Sequence, residues 1–184
     1  MTSDQFPTEP DYLCGDPVAF GALVKRYQDS LFAYLGRMGL SDAVCEELAQ
    51  ETFLRVWKSR DKYDPDKAAL STWIFTIGRN LALSALTRKT VPVNDELDVE
   101  QYPQISQSAD PSKQYEQHES ILRLRQALAS LSDEDREIIA ACYTPEIECA
   151  SDLLNCSEGA LRTRLSRARK RLSAALNKLD KNYE

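Results

Sequence analysis

Apolar side chains in this chain recur three and four residues apart, segment after segment, and nowhere alternate over a useful length. Phe20, Leu23, Val24, Tyr27, Leu31, Tyr34, Leu35 and Met38 follow that spacing, as do Cys45, Leu48, Ala49, Thr52, Phe53, Val56 and Trp57. On a helix such positions gather into one stripe, whereas on a strand they scatter over both faces. The only regular structure that can bury them together is helical. Few β-branched runs occur, only 6 of 184 residues are glycine, and Leu, Ala, Glu, Arg and Lys dominate. The expected fold class is all-α.

Capping signals place the helices. Asp16-Pro17 suits a start, because the Asp oxygen can accept from free amides while proline fills the first helical position. The first helix should end near Gly39 and a second begin after Ser41. A third, from about Thr72 to Arg88, follows the polar loop "DKYDPDKAA". Between Thr90 and Lys113 lie prolines, acids and amides without periodicity, too long for a loop inside one compact domain. The expected division is a flexible tail over 1–15, a helical domain over 16–90, a flexible linker over 91–114 and a second helical domain over 115–184. In the latter, Ile121, Leu124, Leu128 and Leu131 form one stripe, Ser132 caps a helix bearing Ile138, Ile139 and Cys142, and Pro145 interrupts it.

The end of the chain raises a question of charge. Net charge is -6, yet "SEGALRTRLSRARKRL", Ser157 to Leu172, holds six Arg and Lys. Charge so segregated suggests one element that binds a polyanion. The short helix "EIECASDLL", a turn at Asn155 and a helix capped by Ser157 have the layout of a helix-turn-helix, whose second helix enters the DNA major groove. Leu161, Leu165, Ala168, Leu172, Leu176 and Leu179 form a core-facing stripe. Arg162, Thr163, Ser166, Arg167 and Lys170 project away from it. The first four are candidate base readers, since arginine presents a fork to guanine edges. Lys170, Arg164, Arg169 and Arg171 are expected mostly to hold phosphate, which adds affinity without sequence choice. A merely solvated basic face would concentrate its cations in the last turn, whereas most lie in the first half.

The second half, "LRQALASLSDEDREIIAACY" followed by "SEGALRTRLSRARKRL", resembles the promoter-binding C-terminal domain of bacterial RNA polymerase sigma factors of the extracytoplasmic-function class. The first half, "FGALVKRYQDSLFAYLGRMGLSDAVCEELAQETFLRVW" and "LSTWIFTIGRNLALSALTRK", resembles the same family's other domain. The resemblance implies a sigma factor that binds core RNA polymerase, through the β′ clamp helices and the β subunit, and directs promoter-specific initiation under an anti-sigma factor. It assigns polymerase docking to Glu47, Leu48, Gln50, Glu51, Leu54 and Arg55. It assigns the single-stranded minus-ten element to Tyr63, at the head of the loop reaching Ala69, and to Trp73, Asn80, Ser84 and Arg88 on the third helix. The helix-turn-helix would read the minus-thirty-five duplex.

This chain departs from the family pattern in two places. Ser84 and Thr87 stand where members commonly carry an acidic and a basic residue after the asparagine, with Arg88 and Lys89 next. The approach to the helix-turn-helix is shorter than usual, with Pro145 in place of a glycine-containing turn. A one-component helix-turn-helix regulator and a polymerase adaptor without promoter choice remain as alternatives. Cys142, Cys149 and Cys156 recur every seven residues and His118 is the single histidine, but the close ligand pairs of zinc sites are absent. No phosphate-cradling glycine loop or nucleophile elbow is present. Neither cofactor, metal nor enzymatic activity is expected. The absence of a targeting segment or apolar span points to a cytoplasmic protein with no membrane insertion and with reduced thiols.

Overall fold

The computed structural model describes residues 12, 13, 15–88 and 111–180, with side chains from residue 119 in the last stretch. Among these residues it is all-helical. Helix α1 spans Pro17–Arg37, and the Asp16 carboxylate accepts from the Val18 N–H at 3.0 Å. Gly39, with φ +88°, turns the chain as only glycine does readily. Helix α2, Asp42–Ser59, runs into a 3-10 turn at Arg60–Lys62, and α3 occupies Leu70–Arg88.

These three helices pack around Leu23, Leu31, Tyr34 and Leu35 of α1, Cys45, Phe53 and Val56 of α2, and Leu70, Ile74 and Phe75 of α3. Gly78 permits the close approach of α3: a Cβ there would stand 2.8 Å from Leu31 Cδ1 and 3.4 Å from Thr52 Oγ1. The buried Thr52 hydroxyl is satisfied by donating to the Leu48 carbonyl at 2.6 Å. Tyr12, placed by its sequence context in a tail, is buried in this core.

The second half begins with α4, Pro111–Ala129, which starts on a proline, four residues before the periodic pattern resumes at Tyr115. Of the expected linker, residues 91–110 lie outside the described residues. Helix α5, Asp133–Cys142, is capped by the Ser132 hydroxyl, which accepts from the Asp135 N–H. Helix α6 is a single turn, Ala150–Leu153, and α7 runs over Glu158–Asp180. Leu128, Leu131, Ile139 and Ala168 join α4, α5 and α7 in a small cluster of their own. Leu124 was expected on that stripe, but it is 42% exposed.

The two halves also pack directly on each other. Ile138, Ala140, Ala141, Ile147, Leu153 and Leu154 belong to the same apolar cluster as α1, α2 and α3, with α5 along α1 and α6 on α3. Around this seam Arg79 Nε meets Glu137 Oε1 at 2.5 Å, Arg125 meets Asp42 at 2.9 Å, and Arg37 donates to the Thr144 hydroxyl at 3.1 Å. Burial lowers the pKa of Arg37, partly opposed by the charge of Glu146. The same burial raises the Tyr34 phenol, with Glu137 adding to the effect and Arg79 opposing it.

Candidate nucleic-acid interface

The turn before α7 is built locally. Asn155 adopts φ 47°, the left-handed conformation asparagine tolerates, and the Cys156 N–H donates to the Ser151 carbonyl at 2.9 Å. The Ser157 hydroxyl then accepts from the Ala160 N–H at 3.3 Å. The stripe predicted for α7 faces protein: Ala168 is fully buried, and Leu161, Leu165, Leu172, Leu176 and Leu179 are half-buried. Arg162, Thr163, Ser166, Arg167 and Lys170 are all exposed on the other side. Thr163 donates back to the Gly159 carbonyl at 2.9 Å, while Arg162, Arg167 and Lys170 contact no acid among the described residues.

The cations on the flanks divide. Arg171, expected to hold phosphate, instead donates to the buried Asp135 carboxylate at 2.7 Å and braces α7 against α5. A buried carboxylate needs such a partner. Arg169 lies over the ring of Tyr143, 5.2 Å from its centroid, and Arg164 is half-buried.

A second exposed strip runs along α3. Trp73, Ile77, Asn80, Ser84 and Arg88 fall on one face at three- and four-residue steps; Asn80, Ser84 and Arg88 are exposed and Trp73 is half-buried. The Trp73 ring rests on Tyr63, centroids 5.2 Å apart, so the loop that follows α2 has an aromatic floor. That loop is shaped by Asp64, whose carboxylate takes the Asp66 N–H at 3.1 Å and the Lys67 ammonium at 2.7 Å. These bonds, led by that to Lys67, hold the Asp64 carboxyl below its usual range. The Ser84 hydroxyl donates to the Asn80 carbonyl at 2.8 Å, so it does not replace an acidic group's charge.

On α2, Glu47, Gln50, Leu54 and Arg55 are exposed while Leu48 and Glu51 are half-buried. Arg55 and Glu51 pair at 2.6 Å beside Leu54, which is 47% exposed. An apolar side chain within a polar rim is the usual anatomy of a protein-docking face. Sequence reasoning missed Glu137, Arg79 and Tyr143. The ion pair joins residues 58 positions apart, beyond any local pattern. The one local signal was an aromatic residue, Tyr143, two positions before Pro145, where the helix of α5 has to end.

Among the described residues no three His, Cys, Asp or Glu are grouped to hold a metal, and no helix is long and apolar enough to cross a membrane. Cys14 and the His118 side chain lie outside the described residues. Cys45 is buried, and its thiol reaches the Leu40 carbonyl at 3.7 Å. Burial raises the Cys142 thiol, with Arg169 opposing.

Residues 23–91 match the Sigma-70 region 2 family. The RNA polymerase sigma factor CarQ of Myxococcus xanthus is 30% identical over 167 residues, covering 88% of this chain and 91% of its own. The ECF RNA polymerase sigma factor RpoE of Cereibacter sphaeroides is 27% identical, covering 86% and 88%. A solved structure of the sigma factor RpoE bound to the anti-sigma factor NepR from Bartonella quintana superposes with a TM-score of 0.63 at 25% identity, covering 86% of this chain and 96% of the other. An exposed basic helix after a tight turn, a polar strip beside an aromatic loop, and these relatives over nearly the whole length agree: the chain belongs to the extracytoplasmic-function class of bacterial RNA polymerase sigma factors.

Proposed function

We propose that α7 reads the minus-thirty-five duplex through Arg162, Thr163, Ser166 and Arg167, with Lys170 on phosphate. The strip Tyr63, Trp73, Asn80, Ser84 and Arg88 holds the melted minus-ten strand, and Glu47, Leu48, Gln50, Glu51, Leu54 and Arg55 dock on the polymerase β′ clamp helices. The observation that carries this reading is the division of α7: one stripe is packed into the fold, and the opposite one bears exposed cations that meet no acid among the described residues. The chain works in the cytoplasm beside the chromosome, and the catalysis belongs to the polymerase.

The packed arrangement is the resting form in this reading. Minus-ten and minus-thirty-five elements lie about 25 base pairs apart, roughly 85 Å along the duplex. A compact chain of this length has a radius of gyration of about 16 Å. One closed body cannot reach both elements, so the seam between the halves opens on polymerase. An anti-sigma factor is the fitting antagonist, because a partner that gathers both halves hides them from polymerase and promoter together.

The test is reconstitution with purified core polymerase. The chain should co-elute with core and start transcripts at discrete sites. A one-component regulator would shift duplex DNA alone without co-eluting, and an adaptor would co-elute yet leave initiation unchanged when Arg162 and Arg167 are both replaced by alanine.

A further inference from the structure

We propose that Tyr143 positions Arg169 to hold a backbone phosphate at the edge of the minus-thirty-five duplex. The pair thereby extends the DNA contact of α7 onto the end of α5. The inference rests on the promoter-reading role of α7.

Tyr143 is one of four large apolar or aromatic residues exposed among the described residues, at 47%. Its backbone is fixed, since its N–H closes the last turn of α5 on the Ile139 carbonyl at 3.0 Å. The residue therefore stands at the C-terminal end of α5, just before the chain turns toward α6. Over it lies the guanidinium of Arg169, itself exposed.

A cation–π contact draws on the charge of the guanidinium and does not use up its in-plane N–H groups, which can still donate. Neither Arg169 nor Tyr143 has an acid or a side-chain hydrogen-bond partner recorded among the described residues. Arg171, two positions on, is different: Asp135 takes its donor. The same helix thus carries one arginine paired with a buried acid and one lying over a ring with no acid beside it among the described residues.

Position on the helix agrees. Arg169 follows Arg162 by seven residues, which returns it to within about 20° of the same azimuth and about 10 Å further along the axis. The major groove is about 12 Å wide. With Arg162 among the bases, Arg169 meets the groove wall, where the ligand is phosphate. A guanidinium already held on a ring loses less side-chain freedom when it binds.

The test uses the full chain and a fluorescein-labelled minus-thirty-five duplex from a promoter it initiates from, titrated by anisotropy at several salt concentrations. The titration is repeated with duplexes carrying one neutral methylphosphonate at a time. Wild type should weaken several-fold at one position flanking the reading site. Arg169→Ala should bind more weakly, be indifferent to that methylphosphonate, and show a salt slope reduced by about 0.9. Tyr143→Ala should keep the slope while losing about threefold in affinity, and Tyr143→Phe, which keeps the ring, should match wild type.

An unchanged slope and unchanged methylphosphonate profile for Arg169→Ala would overturn the phosphate contact and leave the pair as a brace between α5 and α7. Wild-type binding by Tyr143→Ala beside a weakened Arg169→Ala would overturn the positioning. Arg162→Ala separates these failures from failure of the underlying reading. If it leaves preference for the promoter duplex intact, the reading role of α7 fails; if it abolishes that preference while Arg169→Ala changes nothing, only the pair is refuted.

Discussion

Gly78 sets how closely α3 can approach α1 and α2, because the space a Cβ would need is already held by Leu31 and Thr52. Gly78→Ala should destabilise the fold by about 1 to 3 kcal/mol, read as a lower urea midpoint, through overpacking. Tyr34 bears a buried hydroxyl with no hydrogen-bond partner among the described residues. Its phenol is raised above the ordinary 10.0, chiefly by burial. The folded chain therefore keeps a proton that the unfolded chain releases: this contribution is complete below about pH 10 and is lost as pH rises beyond it. Tyr34→Phe should be neutral or stabilising at pH 8, and its stability should fall less than wild type's between pH 9 and pH 11 in urea titrations. Caps at Asp16, Ser132 and Ser157 were legible because a cap is a bond within one turn of chain. The partner of Arg79 was not, since Glu137 lies 58 positions along the sequence.

At the scale of elements, the division of α7 was legible from spacing alone. A stripe of leucines at helical period must face protein, and what lies opposite must face water or a ligand. The fate of each cation was not legible, because Asp135 and Tyr143 reach α7 from another helix. Arg171→Ala should therefore lower stability by about 1 kcal/mol, a modest figure because the arginine is largely solvent-screened. Arg167→Ala should leave the melting temperature nearly unchanged and weaken promoter binding instead. Thermal melts and duplex titrations of the two variants check this contrast directly. Helix α6 came out shorter than its periodic pattern: "EIEC" follows Pro145, and helix begins only at Ala150. Pattern marks where apolar residues must be buried, and it does not by itself fix where a helix starts.

The whole molecule carries what the sequence did not reveal, a shared core between its halves. Each half shows its own helical period, and nothing local says that Ile138, Leu153 and Leu154 will pack with α1 and α3. Glu137, only 10% exposed by its side chain, depends on Arg79 for compensation. Glu137→Lys should open the free chain by placing two cations together, and combining it with Arg79→Glu should restore closure. Fluorophores at residues 58 and 177 would report both changes, and core polymerase should lengthen the wild-type distance by tens of ångströms, given the separation of the promoter elements. An unaltered distance on polymerase would contradict the opening step. The central claim, that this chain gives polymerase its choice of promoter through α7, is tested most directly by mapping transcript starts from a genomic library with reconstituted polymerase. The wild-type chain should produce starts preceded by one shared pair of elements, and Arg162→Ala with Arg167→Ala should lose them while still binding core. Starts that are absent with the wild type, or unchanged with the double variant, would contradict it.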